Sequence, residues 1–176
     1  MSKERLDLPK ITGHGCFACG TENPVGLNLQ FYMAENYIGS DITLGKNYEG
    51  WQGMAHGGII STLLDEVMSW TIIYLRRVFF VTRKMEVKYV KPVLIGTPVT
   101  ILGELKEEKR DRFIHAQAKI IDAQGQILSK AAGEFVELPP ERLSAVPDSI
   151  KKEMADLFRK VRTINDPAFL DTTGPL

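Results

Sequence analysis

One apolar segment, from about Gly58 to Arg76, constrains the fold more than any other part of the sequence. It reads GIISTLLDEVMSWTIIYLR, and it has the length of a helix rather than of a strand. Large apolar residues fall on nearly every side of such a helix: Ile59, Ile60, Leu63, Leu64, Val67, Met68, Trp70, Ile72, Ile73 and Leu75. A helix that is apolar all round is buried. We therefore predict one long central helix covered by other elements.

Segments with the alternation of β-strands lie on both sides of this helix. Two precede it, LNLQFYMA and YIGSDITLG, and four follow it, RKMEVKYVKP, TPVTILGELKEE, RFIHAQAKIID and GQILSKAAGEFVEL. Strands that follow one another in series favour an antiparallel sheet and the α+β class. We predict an antiparallel sheet of about six strands wrapped around the central helix.

The chain divides into three predicted parts. Residues 1–26 form a leader with a Cys-x-x-Cys pair and an Asn-Pro loop, and residues 27–138 form the helix-and-sheet domain. Residues 139–176 form a C-terminal helical extension and tail. Its helix is predicted from apolar residues at amphipathic spacing: Ile150, Met154, Leu157, Phe158 and Val161. The length of 176 residues suits a single core.

Charge and hydropathy restrict the expected partners and location. Lys and Arg number 22, as do Asp and Glu, so the formal net charge is zero. Without a basic excess we expect neither nucleic acid nor an anionic membrane as a partner. The start of the chain, MSKERLDLPK, lacks the apolar core of a secretory signal. We expect the apolar run VMSWTIIYL to be too short and too interrupted to span a bilayer, and we expect a cytoplasmic protein.

The two cysteines, Cys16 and Cys19, lie in the motif HGCFACG. A Cys-x-x-Cys pair is compatible with a tight turn, with half a metal site or with a redox pair. Completion of a tetrahedral metal site needs further ligands, which His14 or a second subunit would have to supply. We expect a structural turn with no bound metal.

The central helix carries an acidic residue, Asp65, within a narrow polar stripe. Helical spacing places Ser61 and Thr62 before it and Ser69 after it. Burying a carboxylate is costly unless it has partners or meets solvent. Asp65 is therefore either one half of a salt bridge with a lysine or arginine, or an acid–base or nucleophilic group facing a cleft.

A histidine and two glycines, His56, Gly57 and Gly58, precede this stripe at the predicted start of the helix. The first N–H groups of a helix have no acceptor within it, and they point along the positive end of the helix dipole. Because glycine has no side chain, a carbonyl or an anion can approach these groups closely. Such donors can stabilise the oxyanion of an acyl-transfer reaction.

Together, these motifs resemble a known family. HGGIISTLLDEVMSW followed by TRKMEVKYVKPVLIGTPV is similar to the hotdog-fold acyl-CoA thioesterases, in the branch with a His-Gly-Gly turn and an aspartate on the central helix. The leader CFACGTENPVGLNLQF is similar to the opening of many members of that branch. The resemblance covers about residues 14 to 138.

This resemblance implies a hotdog fold and a homodimer, or a dimer of dimers, with active sites between subunits. One chain would supply the oxyanion hole, from the N–H groups of Gly57 and Gly58, with His56 shaping the turn. The other would supply Asp65 as general base or nucleophile. Thr82, just before the strand KMEVKYVKP, matches a residue that positions the attacking water.

The implied substrate is an acyl-CoA, and no cofactor is implied, since coenzyme A belongs to the substrate. We expect Asn47 and Gln52, in the loop before the motif, to help bind the acyl group or water. The basic residues after Thr82 match the position at which the family binds the coenzyme A phosphates: Arg83, Lys84, Lys88 and Lys91.

Two other functions remain open at this stage. The same fold serves acyl-CoA or ligand-binding modules without catalysis, and it also serves hydratases and dehydratases. The acyl group is not determined by the sequence. Six large residues are predicted either to line an acyl tunnel or to belong to the core: Trp51, Met54, Met68, Trp70, Tyr74 and Phe79.

Overall fold

A computed structural model describes residues 5–35, 37–106 and 112–164, with side chains as far as residue 161. The strands are β1 (Leu6–Leu8), β2 (Phe31–Ala34), β3 (Tyr37–Thr43), β4 (Phe80–Tyr89), β5 (Pro98–Leu105), β6 (Phe113–Ile121) and β7 (Ile127–Glu137). The helices are α1 (Gly57–Arg76) and α2 (Asp148–Ile164), and two short 3-10 helices span Lys46–Tyr48 and Pro140–Ala145. This order confirms the predicted α+β class.

The described strands form a single antiparallel sheet in the order β1-β2-β3-β5-β6-β7-β4. It has seven strands, one more than the number predicted, because residues of the leader add β1 to the edge of β2. The two edges differ greatly in length: β1 has three residues and β4 has ten. Among the described strands, β4 pairs with β7 alone, so its other side is unpaired in the described part of the chain.

The central helix α1 packs against the concave face of this sheet and contacts β3 to β7. Leu63, Leu64 and Val67 are fully buried there, which confirms the predicted central helix. By length and composition α1 would also suffice to cross a membrane, so the expectation that the apolar run was too short and interrupted is wrong on that criterion. Its place under the sheet is that of the core helix of a globular fold.

Two strand boundaries differ from the sequence prediction. The strand predicted for the segment LNLQFYMA begins at Phe31 rather than at Leu27. Asn28 has a left-handed φ of 46°, which interrupts an extended chain. Leu27 and Leu29 are nevertheless buried, since their N–H groups bond to carbonyls of the leader. At the other boundary, β4 begins at Phe80, so Thr82 lies inside the strand and not before it.

The C-terminal helix α2 confirms the predicted amphipathic segment. Leu157 and Val161 are buried, and the ring of Phe158 lies 5.9 Å from that of Phe79. Ile150, at the start of the helix, is 45% exposed and lies outside this contact. The end of the tail, residues 165–176, is outside the described part of the chain. The helix therefore covers the segment that joins α1 to β4.

Candidate active site

His56 caps the N-terminus of α1. Its backbone is extended, with φ −64° and ψ 138°, and its carbonyl accepts hydrogen bonds from the N–H groups of Ile59 and Ile60. Its Nδ1 accepts a hydrogen bond of 2.9 Å from the N–H of Gly58. The imidazole thus acts as an N-cap side chain, because it accepts a hydrogen bond from one of the free N–H groups at the helix start.

The loop before α1 holds His56 in place from two sides. The N–H of His56 donates to the carbonyl of Tyr48, at 2.9 Å, and that of Ala55 donates to the carbonyl of Val93, at 2.8 Å. A Cβ atom at Gly50 would lie 2.9 Å from the His56 Cα, so only glycine permits this close approach. Glycine at position 50 is required by this packing.

Gly57 and Gly58, the two predicted oxyanion donors, differ in the structure. The Gly58 N–H is bonded to the His56 ring, as described above. Among the described residues, the Gly57 N–H has no hydrogen-bond acceptor. A Cβ at Gly57 would still be 3.6 Å from the nearest atom, the Tyr89 hydroxyl, so the space beside this N–H is open. Gly57 is therefore the available backbone donor at the helix start.

Tyr89, at the end of β4, is a site residue that the sequence reasoning missed. Its hydroxyl lies 2.7 Å from Oγ of Ser61 and donates to the Gly57 carbonyl at 3.1 Å. The side chain is nevertheless half exposed. No local signal separates this tyrosine from an ordinary strand residue, because its partners lie about thirty positions earlier in the chain. It ties the end of the edge strand to the first turn of α1.

Asp65 faces the same edge strand, two helical turns further along α1. Its Oδ1 accepts a hydrogen bond of 3.1 Å from the hydroxyl of Thr82. Among the described side chains, no lysine or arginine pairs with it, so the alternative of a structural salt bridge is not observed. Burial raises the pKa of Asp65, and the Thr82 hydrogen bond opposes that shift. The result is a half-buried carboxylate without a counter-charge among the described side chains.

A β-bulge in β4 is what brings Thr82 to this carboxylate. Thr82 pairs with Phe135 and Lys84 pairs with the next residue, Glu134, so Arg83 is extra in the ladder. One extra residue reverses the alternation of side chains across a sheet. Thr82 and Met85 therefore share the face that meets α1, although three positions separate them. Lys84 points to the opposite face.

The helix separates Asp65 from Gly57 within one chain. Eight residues at 1.5 Å each correspond to about 12 Å along the helix axis. A thioester carbonyl oxygen and the water that attacks its carbon must lie within about 3–4 Å of the same carbon atom. The open N–H of Gly57 and the carboxylate of Asp65 in the same subunit are too far apart to serve one thioester.

The predicted phosphate-binding residues do not form one cluster. Arg83 is held by Glu134, at 2.6 Å, and lies 5.2 Å from the centre of the Phe113 ring. Lys91 donates to Oε1 of Gln126 at 2.7 Å. Lys84 and Lys88 are exposed on the convex face of the sheet, away from α1. There Lys88 borders a depression of about 340 Å³ that opens to solvent.

The remaining predicted site residues are partly surface and partly core. Asn47, in the first 3-10 helix, and Gln52 are exposed near the start of α1. Of the six large residues predicted for a tunnel or the core, three are fully buried and belong to the core: Met68, Trp70 and Tyr74. Trp51 is 82% exposed. Met54 and Phe79 are intermediate.

The acid next to Asp65, Glu66, faces away from the site and toward the leader. Its Oε1 accepts a hydrogen bond of 2.9 Å from Nε1 of Trp70, and it also interacts with the Cys19 thiol. Burial raises the pKa of Glu66. One oxygen of Glu66 and the sulfur atoms of Cys16 and Cys19 all lie within 4.8 Å of one another. Adjacent positions on the helix thus point in different directions, so that Asp65 faces β4 and Glu66 faces the leader.

Comparison with protein families gives one match over the site. Residues 52–127 match the model of the thioesterase superfamily. This range includes His56, Gly57, Asp65 and Thr82, and it omits the leader and α2. No curated protein matches the chain significantly.

Solved structures share the architecture. The thioesterase superfamily protein RHA08564 is 26% identical, with a TM-score of 0.61 over 65% of this chain; the match spans only 56% of that chain. A hypothetical thioesterase from Streptococcus pneumoniae TIGR4, solved with coenzyme A, is 23% identical, with a TM-score of 0.55, over 60% of this chain and 81% of that chain. The protein smu.793 from Streptococcus mutans UA159, solved with acetyl-CoA, is 21% identical, with a TM-score of 0.56, over 67% and 94%. These likenesses confirm the predicted hotdog fold.

Proposed function

We propose that this protein hydrolyses the thioester of an acyl-coenzyme A. The chain resembles the hotdog-fold thioesterases both in the sequence of residues 52–127 and in its fold. Water adds to the thioester carbon, the carbon–sulfur bond breaks, and a free acid and coenzyme A are released. The reaction uses no cofactor, because coenzyme A is part of the substrate. The family match supports thioester hydrolysis, and the acyl-CoA substrate is our own assignment.

The observation that carries this proposal is the carboxylate of Asp65. It lacks a described basic partner, is half-buried and is oriented by the Thr82 hydroxyl. A carboxylate held in this way suits either of two roles: it accepts a proton from the attacking water, or it attacks the thioester itself. In the second case, water then cleaves the resulting anhydride.

The Gly57 N–H is our candidate for the oxyanion donor. As the thioester carbon becomes tetrahedral, its oxygen gains negative charge, which a pre-positioned N–H at a helix start stabilises. In this arrangement the Gly58 N–H acts indirectly, since its bond to His56 fixes the turn that presents Gly57.

We further propose that each active site is shared by two subunits of a homodimer. In one chain Gly57 and Asp65 lie about 12 Å apart along α1, too far for one thioester. Strand β4 carries Thr82 and Tyr89 and forms the long open edge of the sheet. Pairing two such edges about a two-fold axis would satisfy their free backbone groups. It would also bring the helix start of one subunit toward the Asp65 of the other.

The substrate contacts are proposed at the mouth of that shared site. The complexes of two neighbouring structures with coenzyme A and acetyl-CoA support binding of the same chemical class here. Arg83 and Lys91 would first have to leave Glu134 and Gln126 to meet phosphates, while Lys84 and Lys88 are exposed but lie on the face of the sheet away from α1. Asn47 and Gln52 are proposed to contact the acyl group or water. The free thiols of Cys16 and Cys19 fit the reducing conditions of a cytoplasmic protein.

The test is release of free coenzyme A from a panel of acyl-CoA substrates that differ in chain length and in aromatic character. A thiol-reactive dye measures the released thiol, and calorimetric titration with coenzyme A measures binding. We expect turnover with at least one substrate class, and its loss in Asp65→Asn. Tight binding of acyl-CoA without thiol release would instead identify a non-catalytic binding module, and product formation by water addition to a carbon–carbon double bond would identify a hydratase.

A further inference from the structure

The two cysteines of the leader and Glu66 of α1 form a cluster that the proposed reaction does not use. All three ligand atoms, two sulfurs and one carboxylate oxygen, lie within 4.8 Å of one another. In a tetrahedral zinc site the metal–sulfur distance is about 2.3 Å and the metal–oxygen distance about 2.0 Å, so neighbouring ligand atoms lie about 3.5–4 Å apart. The cluster requires only a small contraction to reach that spacing.

The leader turn has the shape that a Cys-x-x-Cys metal ligand pair needs. The Gly20 N–H donates to the Cys16 carbonyl at 3.0 Å, which closes a tight turn around the two thiols. A Cβ atom at Gly20 would lie 2.5 Å from the Cys16 carbonyl oxygen, so a larger residue would force this turn open. The turn is also fixed to the fold, because Leu27 and Leu29 donate to the carbonyls of Phe17 and Ala18.

Glu66 provides a second, independent reason to place a cation here. It is a mostly covered carboxylate on the central helix, and among the described side chains no basic group lies within ion-pair distance of it. Trp70 supplies one hydrogen bond to this carboxylate and the Cys19 thiol supplies another, and neither partner carries a positive charge. A buried acid of this kind is usually paired or bound to a metal.

Lys10 lies close enough to influence the cluster electrostatically. Its Nζ donates to the carbonyls of Cys19 and Leu29 and to Oδ1 of Asn28, at 2.9, 2.8 and 2.7 Å. Its charge interacts favourably with Cys16, Cys19 and Glu66. Two thiolates and a carboxylate around a divalent cation carry a net charge of minus one, which a fixed ammonium group partly offsets.

We propose that Cys16, Cys19 and Glu66 bind a structural zinc ion that joins the leader to the central helix. Two thiolates select zinc over magnesium or calcium, and the carboxylate is a third ligand. The fourth position of a tetrahedral ion would be left to water. Binding releases the two thiol protons to solvent. His14 is not a ligand, because Cys16 N–H donates to its Nδ1 and its Nε2 lies 3.2 Å from the Ile11 carbonyl oxygen.

The zinc ion would act on α1 at the residue that follows Asp65. Fixing Glu66 to the leader restrains the rotation of this helical turn about its axis, and the leader then covers a side of α1 that lies about 100° around the axis from Asp65. The sequence alone favoured a metal-free turn, because a tetrahedral site needs two further ligands and His14 was the one candidate nearby. The structure replaces that histidine with a glutamate from the central helix.

The experiment is metal analysis of the full-length, tag-free protein, produced in cells grown with added zinc and kept reduced during purification. We expect about one zinc per chain, a melting temperature that falls on removal of the metal by a strong chelator, and recovery when zinc is returned. Cobalt provides a specific probe. Because the sequence contains two cysteines in all, a thiolate-to-cobalt absorption band in the near ultraviolet reports on Cys16 and Cys19 alone.

Three variants locate the site. Cys19→Ser should lose the zinc, and Glu66→Gln should keep the thiolate band but bind zinc about 10-fold or more weakly, as expected for loss of one ligand interaction. Glu22→Gln, an exposed acid of the same leader, is the matched control and should bind zinc like the unaltered protein. These readouts do not depend on hydrolysis, so they remain decisive if the proposed activity is absent. Reduced protein without zinc or a thiolate–cobalt band, or equal zinc binding by Cys19→Ser, would overturn the proposal.

Discussion

The hydroxyl of Thr82, on the edge strand β4, donates a hydrogen bond of 3.1 Å to Oδ1 of Asp65, on the central helix. This bond depends on the bulge at Arg83, which turns Thr82 toward the helix. It connects the proposed catalytic carboxylate to the strand that would form the subunit interface. Dimer formation and orientation of the carboxylate are therefore expected to be linked.

Replacing Asp65 by asparagine should abolish most of the hydrolysis. Loss of a general base or nucleophile costs at least about 10²-fold in turnover. Stability should be unchanged or higher, because a half-buried carboxylate with no counter-charge among the described residues is replaced by a neutral amide of similar size. Thiol release measures the first effect and urea denaturation the second.

Glu86→Gln is the control for this substitution, since Glu86 is an exposed acid on the convex side of β4. It should leave turnover unchanged. A folded Asp65→Asn protein with normal turnover would remove Asp65 from the mechanism.

Replacing Thr82 by alanine should reduce turnover about 10-fold, which corresponds to the loss of one hydrogen bond to a charged group. The Michaelis constant should change little, because Thr82 contacts the carboxylate rather than the substrate. Thr82→Ser keeps the hydroxyl and should retain most of the activity. If the serine and alanine variants reduce turnover equally, the hydroxyl does not support turnover. The effect would then come from the methyl group of Thr82 or from the geometry of the strand.

Replacing His56 by alanine should lower the free energy of unfolding by about 1 kcal/mol, since the helix start loses its capping side chain. His56→Asn should restore that stability, because asparagine is a strong N-cap. Urea denaturation provides the measurement. His115→Ala serves as the control, because His115 is exposed on β6 and caps no helix. Equal stability of the alanine and asparagine variants at position 56 would argue that capping is not the role of this side chain.

Mixing two inactive variants tests the shared active site. Gly57→Val should be inactive, because its branched carbons extend beyond a Cβ that already lies 3.6 Å from the Tyr89 hydroxyl. Asp65→Ala should be inactive for lack of the carboxylate. In a dimer that combines the two chains, one site carries both defects and the other carries neither. About one quarter of normal activity should return at equal mixing, since half of the dimers are mixed and each holds one intact site.

This complementation requires subunit exchange, which size-exclusion chromatography with a labelled chain can follow. Exchange of well-folded subunits without recovered activity would contradict the shared site and would require Gly57 and Asp65 to act separately. Recovery well above one quarter would indicate that one of the two variants is not fully inactive by itself.

The sequence by itself determined the elements and identified most of the residues that the proposed site uses. The apolar run beginning at Gly58 had to be a central helix, because no other arrangement buries so many large side chains. The alternation of the flanking segments determined the antiparallel strands. His56, Gly57 and Asp65 could be placed because they lie on one helix, where spacing along the chain converts directly into position.

Only the tertiary structure decided which of those residues meet groups from elsewhere in the chain. The bulge at Arg83 brings Thr82 to Asp65, and Tyr89 reaches the helix start from the far end of β4. A bulge depends on the register between strands, and nothing in the local sequence of β4 records that register. The sequence also treated Gly57 and Gly58 as equivalent donors, whereas the His56 ring occupies the N–H of Gly58.

The cysteines of the leader also show that local sequence does not reveal contacts between distant parts of the chain. From the sequence, Cys16 and Cys19 had only His14 nearby as a further ligand, and Asp65 and Glu66 appeared as one acidic pair. The helix separates the two acids by about 100° around its axis, so that one faces β4 and the other faces the leader. Spacing along a helix determines the direction in which each side chain points. The packing of the leader against α1 decides which groups the Glu66 side chain contacts. That packing arises from contacts between residues far apart in the chain, which is why folding was needed to bring the two thiols to Glu66.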